Sequence, residues 1–248
     1  MATFTEFLDI LPNPNTPIGD AGQSLATGSG GVAGPGFASI QFKSIAPVTT
    51  TRTNSGRVIS RGLAGHRWEL EITYNPLTRE DFEPVYSFLL QKKGKLNPFF
   101  VPLPQHLTSR NSAFNTYAGS NTITSAAGYN AGSEFMIQAG HSSTETTQPK
   151  PGDMFTITDS NDSLHTKAYR VTRVMSNGTY NTSVHSQPSS TQRIIYFTPH
   201  LQRAVASGST IDYTAPLVRV VLKEDVQAYS LGTNNLFQFS LSLEEAQQ

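Results

Sequence analysis

The sequence predicts a mainly β protein with one flanking α-helix, in which a small β-barrel interrupts a discontinuous core. Three observations predict this. Charged residues make up only 15% of the 248, against a usual share of about 25%, and Ser, Thr, Asn, Gly and Gln fill the gap, as strands and turns require. Period-2 alternation recurs along the chain, whereas one segment alone has a clear helical repeat. The strongest strands lie in 37–104 and 216–248, on either side of a Ser/Thr-rich stretch of short strands at 105–215.

Residues 1–36 read as an extended N-terminal arm. A short apolar piece (Phe4, Phe7, Leu8, Ile10, Leu11) is followed by a Pro/Asn run and by the glycine-rich Gly28–Gly36. Too few apolar residues accompany those glycines to offset the entropy of ordering them. The segment is therefore either a floppy terminus or an extended arm that lays its apolar tip, Phe7 to Leu11, on a neighbouring subunit.

In 37–104, alternation starts at Ile40 and Phe42, and Asn54-Ser55-Gly56 marks a turn before Val58–Arg61. The clearest strand follows, with Trp68, Leu70, Ile72 and Tyr74 on one face and Glu69, Glu71 and Thr73 toward water. The helix is expected over about 81–93, its stripe formed by Phe82, Val85, Tyr86, Leu89 and Leu90. Thr78 or Asp81 supplies the N-cap oxygen, and Pro84 favours Asp81 because proline is tolerated in the first turn. Lys92, Lys93 and Gly94 close it, and Pro98–Pro102 reads as an edge strand.

Within 105–215 the expected strands are Asn121–Thr124, Glu134–Gln138, Met154–Thr158, Tyr169–Val174, Arg193–Phe197 and Thr210–Tyr213. Short strands at even spacing suggest a small barrel or sandwich. The final strands, Leu217–Leu222 and Leu236–Leu243, need a sheet partner, which the segment before residue 104 supplies.

The order of these parts carries a resemblance. The run Arg61-Gly62-Leu63-Ala64-Gly65-His66-Arg67-Trp68-Glu69-Leu70, the capped helix, the Phe99-Phe100 strand and the closing Phe239-Ser240-Leu241-Ser242-Leu243 resemble phage distal-tail and baseplate proteins. Pro151-Gly152-Asp153-Met154-Phe155 with Tyr169-Arg170-Val171 is similar to the small barrel modules of that family. The resemblance implies a tube-like β-sandwich core and a ring around the tail axis, with six copies usual and three an alternative. It implies tail tube and hub or other baseplate proteins as partners. It also implies a place in the virion after assembly in the bacterial host's cytoplasm.

Chemistry-bearing patterns are sparse. With no cysteine, disulfides and sulfur-based zinc sites are excluded. The six histidines lack helical metal spacing and read as surface or turn residues. Asp159-Ser160-Asn161-Asp162 has oxygen ligands, but Leu164 and Arg170 stand where an EF-hand needs glycine and glutamate. No nucleophile elbow or phosphate loop occurs, so no catalytic residue, metal or cofactor is expected and the chain reads as a non-enzyme. No apolar run approaches the ~20 residues of a membrane span, and Glu6 and Asp9 argue against a secretory signal.

The remaining candidates form an assembly surface: Phe7, Leu8 and Leu11 on the arm, and the basic stretch Arg52, Arg57, Arg61 and Arg67 leading to Glu69 and Glu71. A ring joins unlike faces of adjacent copies, so an ion-pair zone is expected there. Zero net charge and the lack of interleaved aromatics leave DNA at most a molecule in transit. The alternative function is a glycan-binding host-recognition module, with Tyr117, Tyr129, Tyr169, Tyr180 and Tyr196 of the insertion stacking on sugars.

Overall fold

A computed structural model describes residues 10–14 and 34–246, apart from 64, 120, 124–127, 145, 160, 163, 181–182 and 184. The chain runs β1 (Phe37–Ile45), β2 (Val48–Arg52), β3 (Val58–Gly62), β4 (Arg67–Tyr74), α1 (Arg79–Lys92) and β5 (Phe99–Pro102). Next come β6 (Asn121–Ile123), β7 (Phe135–Ala139), β8 (Met154–Thr158), β9 (Ala168–Met175), β10 (Arg193–Thr198) and β11 (Thr210–Asp212). Last are β12 (Leu217–Leu222), β13 (Ser230–Leu231), β14 (Phe237–Gln238) and β15 (Ser240–Glu245). The protein is mostly β, and contacts divide the described residues into two units, those up to Val101 with Arg219–Ala246, and Pro102–Val218.

The first unit holds a five-stranded sheet in the order β1-β4-β15-β12-β5. Its register sorts the residues by face. Ile72 pairs with Ile40 and Leu241, and Leu70 with Phe42 and Leu243, so apolar side chains line one face. The helix covers that face: Phe82 meets Phe239 at 5.7 Å between ring centroids and Phe88 meets Phe99 at 5.4 Å. Each such side chain removed from water stabilises the unit by roughly 1.5–3 kcal/mol before entropy is counted. The closing strand predicted over Leu236–Leu243 is broken, because Phe239 lies between β14 and β15.

Two expectations for the helix are corrected. Its N-cap is Thr78, whose hydroxyl accepts the Asp81 amide at 3.4 Å and donates to the Asp81 carboxylate at 2.7 Å. This side-chain cap sets the helix start in spite of Pro84, which sits inside the helix. The missing amide of Pro84 would have met the carbonyl of Glu80, an exposed residue that water can satisfy. The apolar stripe contains Phe88 and leaves Leu90 half exposed. Lys93 takes the left-handed exit together with Gly94.

The second unit contains a closed six-stranded barrel, β10-β7-β6-β11-β8-β9. Phe155, Tyr169, Phe197 and Tyr213 fill its interior. Arg193, fully buried, donates to the carbonyls of Ser142, Thr144, Ser190 and Gln192 and so fixes two loops.

Candidate assembly surface

Strands β2 and β3 form a separate two-stranded antiparallel ribbon, pairing Arg52 with Val58 and Thr49 with Arg61. Its turn is closed by the Thr53 amide on the Arg57 carbonyl, and Gly56 adopts the positive φ that the turn needs. Every residue of both strands is exposed. Arg52, Arg57 and Arg61 therefore stand in solvent with no acidic residue between positions 44 and 68. Val48, Val58, Ile59 and Leu63 are also exposed, each near half or more of its full area. An isolated two-stranded ribbon is marginal in water, so this one presents backbone, apolar surface and positive charge that its own unit leaves uncovered.

The carboxylates expected beside it are already occupied. Glu69 is almost buried and is held by Arg67 and Lys223, each at 3.2 Å, while Glu71 pairs with Lys43. Burial pulls the Glu69 carboxyl upward, but the hydrogen bonds from Lys223 and Arg67 outweigh it and leave it below the usual carboxylate range. Of the two carboxylates expected to face water, Glu69 is instead buried and paired within its own unit, while Glu71 stays half exposed beside Lys43. Arg67 belongs to this same network.

The arm residues also differ from expectation. Leu11 is fully buried, its amide bonded to the Phe100 carbonyl at 2.8 Å. Ile10 forms a parallel bridge with Phe100, so the arm covers the β5 edge of the sheet. Gly34 returns to the same place, where a Cβ would lie 2.5 Å from the Asn13 amide. Leu11 thus has no surface left for a neighbour, whereas Phe7 and Leu8 lie outside the described residues.

Four of the six histidines are buried, not superficial: His66 in the first unit and His141, His165 and His185 in the second. His165 bonds the Tyr169 hydroxyl at 2.9 Å and His185 bonds that of Tyr196. His141 stacks on Phe114, and burial, aided by the Arg193 charge, depresses its pKa to about 3. Both carboxylates of the Asp159–Asp162 turn are engaged, by the Ala206 and Asn161 amides and by Arg203 and the Leu164 amide. Tyr169 is fully buried and cannot stack on a sugar, while Tyr117, Tyr129, Tyr180 and Tyr196 are half-buried.

No protein-family model matches the chain. Over 145 residues it is 28% identical to the distal tail protein pb9 of Escherichia phage T5, a match covering 58% of this chain and 65% of that protein. The chain is a relative of a phage distal tail protein. The match spans just under two thirds of that relative's length. In this distal-tail relative, the charged and apolar surfaces that sequence reasoning singled out separate into two kinds. The ribbon arginines remain open, whereas Glu69 on the Trp68 strand is buried in an ion-pair network and Glu71 keeps half of its surface.

The buried His141 gives the barrel a defined acid response. A folded-state pKa near 3 against 6.5 unfolded means the unfolded chain binds a proton that the native barrel excludes. Its stabilising contribution is complete above 6.5 and is lost progressively as pH falls toward 3. Thermal melts should therefore show a midpoint falling between pH 7 and about 4.5, with a shallower fall in His141→Gln. Equal slopes in the two proteins would contradict this assignment.

Proposed function

We propose that the chain is a non-enzymatic structural subunit of a phage tail tip, assembling with copies of itself into a ring around the tail axis. The likeness to a distal tail protein supports the tail role. The observation that carries self-assembly is the β2–β3 ribbon, exposed on both faces and bearing three arginines without an acidic partner among the described residues. Acidic side chains for such a contact are exposed on the same unit in two separate groups, Glu80, Asp81 and Glu83 in the first turns of α1 and Glu224 and Asp225 after β12. Unlike faces of this kind join head to tail, and such contacts close when the rotation permits. The five-stranded sheet then supplies the tube-like layer, and tail tube and hub proteins contact the two ends of the ring.

Light scattering on the purified protein at ~0.15 M salt tests this. A mass that is a whole multiple of 27.0 kDa, with six copies the leading expectation, supports the reading. A monomer across the accessible concentration range would end it.

A further inference from the structure

In the first unit a groove of about 580 Å³ opens where β4, β13, β14 and β15 meet, a volume within the roughly 300–1,000 Å³ of small-ligand sites. Strand register explains its lining. Thr73 pairs with Ser240, and Ser230 pairs with Gln238. Phe239, between Gln238 and Ser240, is buried and packs on Phe82 and Tyr74. Alternation therefore turns Gln238 and Ser240 to the opposite side, each beside its cross-strand partner. Thr73, Ser240, Gln238 and Ser230 form one row, all exposed and all lining the groove. Pro76 and Tyr229 line it too, and Tyr229 keeps 48% of its surface although it packs on Phe82 and Tyr86.

Two properties define what the groove can hold. None of its lining residues is charged, so nothing compensates a phosphate, carboxylate or ammonium group taken out of water. Among the described residues, the four side chains of the row make no hydrogen bond within the protein. Hydroxyls and carboxamides both donate and accept, as the hydroxyls of a sugar ring do. The exposed part of the Tyr229 ring suits the apolar C–H side of such a ring. An extended peptide fits less well, because it needs apolar recesses for its side chains, and Phe239 is already packed within its own unit.

We propose that this groove binds a short neutral saccharide, with Thr73, Ser230, Gln238 and Ser240 bonding its hydroxyls and Tyr229 covering its apolar side. No carboxylate lines the groove, so the acid pair of glycoside hydrolysis is missing and the sugar is held, not cut. The barrel tyrosines take no part. The site does not depend on ring formation, since every residue of it belongs to the first unit of one chain.

Calorimetric titration of the full chain with neutral trisaccharides of glucose, of galactose and of N-acetylglucosamine tests this. At least one should bind with a dissociation constant on the order of 1 mM or tighter. Gln238→Ala combined with Ser240→Ala should weaken that binding roughly tenfold through the loss of two hydrogen bonds. The thermal midpoint should be unchanged, because both side chains are exposed. Tyr180→Ala, in the second unit, should bind like the parent. Failure of all three sugars, binding undiminished in the double variant, or an equal loss in Tyr180→Ala would each overturn the proposal. Binding of a polyproline peptide without response to any sugar would also overturn it and assign the groove to a protein partner.

Discussion

Phe82→Ala is expected to cost the first unit about 3–5 kcal/mol, lowering its melting midpoint by on the order of 10 °C. Phe82 is almost fully buried and is the centre of an aromatic cluster. Its ring lies 4.4 Å from Phe237 in nearly parallel stacking, 5.1 Å from Tyr86, 5.0 Å from Tyr229 and 5.7 Å from Phe239. These partners come from the helix and from a segment more than 140 residues later in the chain. Removing the ring therefore loses transfer energy, leaves a cavity and detaches the helix from the closing strands. Ser87→Ala, on the exposed side of α1, should stay within about 0.5 kcal/mol. Denaturant melts followed by the Trp68 signal would measure both. Equal stability of the two variants would mean that the late segment does not complete this core.

The second large effect concerns association. Reversing all three ribbon charges (Arg52→Glu, Arg57→Glu, Arg61→Glu) should weaken self-association by roughly 100-fold or more, since like charges brought together at an interface cost several kcal/mol. The folded monomer should be unaffected, because all three side chains are exposed and surface changes are usually worth less than about 0.5 kcal/mol. Raising salt should weaken the native assembly in the same direction through screening. Sedimentation at matched concentrations would separate the outcomes. A triple variant that assembles like the parent would remove the ribbon from the interface.

Most strands could be read from alternation because one face of each is buried and the other is not. Trp68, Leu70, Ile72 and Tyr74 show this in β4, and the strand bounds Met154–Thr158 and Leu217–Leu222 coincide with the expected ones. What sequence spacing cannot express is which polar residue meets which. Glu69 and Glu71 have the pattern of a solvated face, yet Lys223, just after β12, pairs with the first and Lys43 of β1 with the second. Leu11 looked free because its few apolar neighbours are local, whereas its actual partner, Phe100, is distant. The helix starts before the position that the proline rule favours, because Thr78 caps it and Pro84 is accommodated within it. The buried histidines carried no sequence signal at all, since burial of His141 and His165 follows from barrel closure and not from local periodicity.

Electron microscopy of the negatively stained, purified chain probes subunit assembly most directly. Class averages should show closed rings with a central opening and a fixed number of identical lobes, and the triple-arginine variant should yield single particles of one subunit. Solitary particles for the parent chain under conditions where it is fully folded would contradict the account.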